Sequence, residues 1–199
     1  MSETLTSKLP EAAISGVSEL INNDRLVIKV TKERKTKHGD YRPLPNGHHQ
    51  ITVNSNLNPY RFLITLIHEI AHFEAYRKYG HRIKPHGREW KFTFQHLMLP
   101  FLNPDVFPDE ILPVLAGHFK NPKASSNTDV ALALALRNYD PSNGNDLVQQ
   151  LPEGATFQLY NGRTFKKGKK RVKRYECVEI KTGKLYLFNP NTEVRLIEK

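Results

Sequence analysis

The sequence predicts an α+β fold in two parts, and three observations carry that reading. Two short stretches of strand-like alternation precede a long, strongly apolar helical pattern from Asn58 to Gly80. A second helical pattern follows through Trp90, Phe94, Leu97 and Met98. Beyond Gly154 the period changes to short strands separated by turn residues. At 199 residues the chain holds one good-sized domain and a small appendage. We draw the boundaries at 1–120 for the main domain, 121–153 for a linker with a short helix, and 154–199 for a small basic β module.

Near the start, PEAAISGVSELIN places Ala13, Ile14, Val17, Leu20 and Ile21 at helical spacing behind Pro10. Arg25 to Glu33 alternates through Leu26, Ile28 and Val30, a half-buried strand. The stretch RKTKHGDYRPLPNGHH carries turn signals at His38-Gly39-Asp40 and Asn46-Gly47 around Tyr41, so a turn-rich connection is expected there. A second strand follows from His49 to Asn54 through Ile51 and Val53. We expect His48 to Asn54 to be an edge on which an extended peptide could add by main-chain hydrogen bonds, or else a buried strand of the sheet.

Asn58-Pro59 begins the long helix, with Asn as the cap and Pro in the first turn. Phe62, Leu63, Leu66, Ile67, Ile70 and Phe73 give it an apolar surface wide enough to bury, and Gly80 is placed to end it. The second helix should end near Pro100, and the proline-rich FLNPDVFPDEILPVLAGHF should form an irregular or short-helical wrap. VALALALR, Val130 to Arg137, is a short helix capped by Thr128 or Asp129, because Ala and Leu are strong helix formers and weak strand formers. Asp140 to Gln150 reads as loop. The strands ATFQLY, RVKRYECVEI, KLYLFN and TEVRLIE then form an antiparallel sheet, with turns at Asn161-Gly162, Lys169-Lys170 and Thr182-Gly183.

The chemistry concentrates at His68-Glu69-Ile70-Ala71-His72. Residues four apart on a helix share a face, so His68 and His72 can offer two imidazole nitrogens to one ion while Glu69 sits beside them. A catalytic zinc takes about three protein ligands and keeps a position open for water, whose pKa it lowers to roughly 7. Glu69 is then the base that takes the water's proton and passes it to the leaving amine. Two histidines are one too few. Spacings that would supply a third ligand six residues after His72, or a glutamate about twenty residues on, fail here, since Lys78 and Phe92 occupy those places. His81 and His86 are left. His81 directly follows Gly80 in the turn, whereas His86, between Pro85 and Gly87, opens the second helix and can swing back over the first, so we prefer His86 as the metal ligand. His38, His48, His49, His96 and His118 are taken as surface or structural residues.

HEIAH followed by PHGREWK resembles the SprT-like (SprT/Spartan) metalloprotease family over roughly residues 10 to 120. The resemblance implies a zincin-like metalloprotease domain, Zn2+ held by His68, His72 and His86, Glu69 as the catalytic residue, and Glu89 and Trp90 as support. It implies a protein substrate, with DNA-bound or DNA-crosslinked proteins as its class. SprT-like proteins often carry a four-cysteine zinc ribbon after this domain. Here Cys177 is the one cysteine, so the β module is expected to be zinc-ribbon-like without the cysteines and held by packing.

A formal charge of +10 raises the prior for a polyanionic partner. Its densest source is RTFKKGKKRVKR, with Arg163, Lys166, Lys167, Lys169, Lys170, Arg171, Lys173 and Arg174 as candidates for sequence-independent binding to DNA, and Phe165, Tyr160 or Tyr175 for base stacking. One cysteine excludes an intrachain disulfide and a cysteine-rich zinc knuckle. Without a signal-like N-terminus or an apolar run of membrane-spanning length, the protein is expected in the cytoplasm, with no membrane partner. A rival reading is a nucleic-acid-binding or transcription-associated accessory protein with a structural metal site. Glu69 argues against it, since a structural zinc has no use for a base beside its ligands.

Overall fold

The computed structural model describes residues 2–34, 36–123, 129–141 and 144–198. The chain divides into two compact units, Met1–Asp140 and Pro141–Lys199, each with its own apolar core. Among the described residues no helix is long and apolar enough to cross a membrane.

The first unit opens with the short helix α1 (Glu3–Thr6). The expected helical stretch after Pro10 forms a 3-10 turn and then α2 (Ile14–Leu20), in which Gly16 lies against the Phe101 ring. Three strands follow: β1 (Leu26–Thr31), β2 (Gly39–Pro43) and β3 (His49–Asn54). Their order is β1-β3-β2, with β1 parallel and β2 antiparallel to β3.

One expectation changes here and one is decided. The turn-rich connection contains a strand, β2, and of the two readings of His48 to Asn54 the buried strand holds, since it is the middle of the sheet. β3 pairs on both sides, and its last five residues are buried. Its main-chain groups are therefore committed, and β1 and β2 form the edges. Gly39-Asp40-Tyr41-Arg42-Pro43 has one large apolar residue, a glycine and a proline, which is the composition of an edge strand and reads locally as a turn.

The long helix α3 (Pro59–Tyr79) is capped by Asn58, whose side chain accepts from the Arg61 amide at 2.9 Å. Phe62, Leu63, Leu66, Ile67, Ile70 and Phe73 are all buried. Each contributes roughly 1.5–3 kcal/mol on removal from water. Gly80 ends the helix with φ 81°, its amide donating to the Tyr76 carbonyl.

α4 (Arg88–Met98) follows, buries Trp90, Phe94 and Met98, and tightens into a 3-10 turn at Leu99–Phe101. The proline-rich wrap contains α5 (Leu112–Phe119). α6 (Val130–Arg137) is capped by Asp129, whose side chain accepts from Leu132 N, while the other cap candidate, Thr128, lies outside the described residues.

α6 belongs to the first core through Leu132 and Leu136. It is also tied to the start of α3. Asn58 Nδ2 donates to the Leu136 carbonyl at 2.8 Å and to Asp140 Oδ1 at 2.6 Å, and Arg61 pairs with Asp140 Oδ2 at 3.2 Å.

The second unit is a six-stranded sheet of β4 (Asp146–Leu147), β5 (Thr156–Gln158), β6 (Thr164–Arg171), β7 (Arg174–Glu179), β8 (Leu185–Phe188) and β9 (Glu193–Glu198). The order is β4-β9-β5-β6-β7-β8, antiparallel throughout. Its core is Val148, Leu151, Ala155, Phe157, Phe165, Cys177 and Val194.

The expected turn at Lys169-Lys170 is not there. β6 runs on to Arg171 and the chain turns at Val172 and Lys173. The lysine run reads as loop, yet Phe165 and Lys167 are buried while Lys166 between them is exposed, the two-residue period of a strand. Residues 140–150, expected as loop, contribute β4.

Candidate metal centre

α3 presents His68 and His72 one turn apart, and burial of the flanking apolar residues fixes the face they occupy. His86 arrives from the connection to α4, directly before the helix cap Gly87. Its φ of 57° is the one positive value among described non-glycine residues. Such a conformation is uncommon and costs energy, on the order of 1–3 kcal/mol, and it turns the His86 ring back over α3.

The three Nε2 atoms converge. His68 and His86 are 3.2 Å apart, His68 and His72 3.3 Å, and His72 and His86 3.0 Å. Nitrogens bound to one tetrahedral ion at about 2.0–2.1 Å would stand roughly 3.3–3.4 Å from one another, close to what is observed. The donor chemistry agrees. A ring nitrogen offers either one proton or one lone pair, so three in mutual contact cannot satisfy each other, whereas an ion between them takes all three lone pairs. Among the described residues this trio is the cluster able to hold a metal ion, and His81, exposed in the preceding turn, is outside it.

Aromatic side chains hold the rings. Trp90 of α4 packs against all three, with centroids 4.6, 5.2 and 4.7 Å from His68, His72 and His86. The Trp90 side chain is fully buried, and its Nε1 is without a hydrogen-bond partner. On the other side Tyr41 of β2 lies parallel to the His72 ring at 6.2 Å. The Tyr41 hydroxyl is 2.9 Å from His49 Nδ1.

Burial sets the protonation states. It pushes His68 down to about 2, helped by His72, His86 and His118, and His72 down to about 4, helped by His86. Burial lowers His86 as well. All three are therefore neutral near pH 7, the form that binds metal.

Glu69 is 7% exposed, and burial followed by the charge of Asp40 raises it to about 8, against the opposing pull of Arg34 and Lys37. That value describes the ion-free pocket, and a divalent cation on the neighbouring rings would draw it down. β2 crosses so close to Glu69 that a Cβ on Gly39 would stand 2.5 Å from its Oε1 and 2.8 Å from Thr65 Cγ2. Gly39 is thus the residue type that lets an edge strand lie over the carboxylate.

The trio and Glu69 line a cavity of about 610 Å³, with Gly39, Asp40 and Tyr41 of β2 and with His81, Lys84, Trp90, Phe94 and His118. His118 reads from the sequence as surface or structural, yet it reaches this cavity. It is 4% exposed, with Nδ1 3.1 Å from Asp129 Oδ2. Its position fifty residues after His68, beyond a proline-rich stretch, carries no spacing signal.

The basic candidates do not form one free patch. Arg163 pairs with Glu179 at 2.7 Å and Arg171 with Glu176 at 2.8 Å. Lys167 is buried, donating to the Leu151 carbonyl and lying over the Tyr175 ring. Lys166, Lys169, Lys170, Lys173 and Arg174 are exposed. Phe165 is fully buried in the core of the sheet, which removes it as a base-stacking residue, while Tyr160 is exposed.

No curated protein and no solved structure matches the chain. The sequence model of the SprT-like family matches residues 8–106, a span that contains His68, Glu69, His72, His86 and the strand over the glutamate. Through that span the chain belongs to the SprT-like family.

Proposed function

We propose that this protein is a cytoplasmic, zinc-dependent endopeptidase whose first unit has a zincin-like arrangement. The observation that carries the reading is the convergence of three imidazole Nε2 atoms within 3.0–3.3 Å beside a buried glutamate in one cavity. A zinc ion on His68, His72 and His86 would supply Lewis acidity, lowering the pKa of water and polarising a peptide carbonyl. The chain's own residues do the rest. A Glu69 carboxylate oxygen takes a proton from water as the water oxygen bonds to the carbonyl carbon. It then returns that proton to the amide nitrogen as the C–N bond breaks, leaving a carboxylic acid and an amine, which become carboxylate and ammonium once the acid's proton passes to the amine. With β3 committed on both sides, β2 is the edge along which an extended substrate would lie, since Gly39, Asp40 and Tyr41 border the cavity.

The test measures metal content together with cleavage of denatured casein. Glu69→Gln should keep zinc and lose about 10²–10⁴-fold in kcat. His86→Ala should lose the zinc, and His81→Ala should keep it. Cleavage unchanged in Glu69→Gln would overturn the peptidase reading.

We propose further that the second unit contacts DNA without sequence preference through Lys166, Lys169, Lys170, Lys173 and Arg174, so that substrates are proteins bound or crosslinked to DNA. The support is their exposure on two adjacent strands and the turn joining them, together with the family resemblance. The single cysteine, buried and unpaired in the core, suits a reducing compartment.

A further inference from the structure

The hydrolase chemistry leaves one requirement unmet by Glu69 and the three histidines: negative charge gathers on the carbonyl oxygen as water adds, and a donor should meet it. Of the donors bordering the cavity, Tyr41 has its hydroxyl on His49 and Lys37 pairs with Asp40 at 2.8 Å, while Lys84 and His81 are exposed in the connection before α4 and nothing among the described residues orients them toward the trio. His118 is built differently. It stands at the end of α5 and lines the same cavity as the trio. Its neighbour Phe119 packs on Phe94, and Phe94 packs on His68, with centroids 4.9 and 5.3 Å apart.

Asp129 fixes the ring. One carboxylate oxygen caps α6 by accepting from Leu132 N, and the other lies 3.1 Å from His118 Nδ1. A carboxylate on Nδ1 orients the ring, and in the ion-paired form, with a proton on each ring nitrogen, Nε2 is a donor. The pair lies beyond the residues matched by the SprT-like family, so it is a property of this chain's own α5 and α6.

We infer that His118, oriented by Asp129, donates from Nε2 to the carbonyl oxygen of the peptide bond under attack. No proton is transferred, and the hydrogen bond strengthens as charge develops. The inference rests on the hydrolase reading and names its missing catalytic residue. A merely structural role, tying α5 to α6, would need Nδ1 alone.

Two substitutions separate these roles. The Asn amide nitrogen falls near Nδ1, so His118→Asn keeps the tie to Asp129 and removes the donor. The Gln amide nitrogen falls near Nε2, so His118→Gln does the reverse.

The zinc-loaded proteins are titrated with the phosphinic analogue of N-acetyl-Ala-Leu-Ala-Leu-amide, whose tetrahedral anion copies the attacked carbonyl, and with the parent amide peptide. Casein cleavage, zinc content and Tm are measured alongside. His118→Asn should weaken the phosphinic peptide at least tenfold, lower kcat about 10²–10³-fold, and leave KM, amide-peptide binding, zinc content and Tm near wild type. His118→Gln should bind the phosphinic peptide more like wild type but melt at a lower temperature.

Equal phosphinic affinity in wild type and His118→Asn, or equal weakening of both peptides, would overturn the inference. It would leave the hydrolase reading standing wherever Glu69→Gln still abolishes cleavage. A wild type that neither cleaves casein nor distinguishes the two peptides overturns both. Should His118→Asn not fold, Asp129→Asn carries the same comparison, with selective loss of phosphinic affinity expected and equal affinity overturning.

Discussion

A carboxylate that must move a proton has to be both dry and held, and Gly39 supplies the second condition. Gly39→Ala would drive a methyl group into Glu69 and Thr65, displacing the carboxylate or lifting β2. We expect zinc content to be unchanged and kcat to fall about 10²-fold, the usual cost of misplacing a reacting group by an ångström. Trp90 tests the walls of the site. Its Nε1 is unpartnered, so Trp90→Phe loses no hydrogen bond and should cost well under the roughly 3–5 kcal/mol expected of Trp90→Ala in chemical denaturation.

Protonation adds a test with a definite sign. In the metal-free protein His68 and His72 sit below their ordinary value, so their contribution to stability is present above pH 6.5 and is lost as pH falls through about 4 for His72 and about 2 for His68. Glu69 is raised, so its contribution is present below pH 4.5 and is lost as pH rises through about 8. Chelated Glu69→Gln, which stays neutral, should therefore melt higher than chelated wild type at pH 8.5, with the gap closing toward pH 4.5.

Among the elements, α3 combines the strongest local signals with the largest share of buried apolar surface, which is why its cap, first turn, buried face and closing glycine are all legible in the sequence. Asn58 does more than its sequence position suggests, since it caps α3 and also donates to Leu136 and Asp140. Asn58→Ala forfeits a cap and strands a buried carbonyl, together about 2–4 kcal/mol, and should lower the denaturation midpoint accordingly.

What could not be read has a common cause. β2 and β6 have strand geometry because of what they pair with, not because of their own composition. Gly39 to Pro43 has one large apolar side chain, and the lysines of β6 hide the inward turn of Phe165 and Lys167. The His86 backbone angle is likewise imposed by what surrounds it. The motif spacing named the ring, while the positive φ that aims it depends on packing between segments far apart in sequence. His118 is the extreme case, since only the folded path of α5 and α6 brings it to the cavity.

At the scale of the whole molecule, charge and chemistry sit in different units. Residues 141–199 hold twelve Lys and Arg against six Asp and Glu, so this smaller unit carries +6 of the chain's +10. The metal trio and its cavity belong to the first unit. Each unit has its own core, so removing surface charge from the second should leave the first intact. Replacing Lys166, Lys169, Lys170, Lys173 and Arg174 by Gln removes the Lys170 contact with the Tyr175 ring, 5.8 Å away, but leaves the buried Lys167 and the paired Arg163 and Arg171 that hold the sheet.

Affinity for double-stranded DNA should then fall across all sequences alike. The slope of log K against log salt should become shallower by about 0.9 for each phosphate no longer neutralised, up to roughly 4.5 if all five residues bind phosphate. Zinc content and casein cleavage without DNA should be unchanged. A slope that stays the same would place the DNA-binding surface elsewhere on this basic chain, and a loss of cleavage without DNA would mean that these cations serve the peptide site.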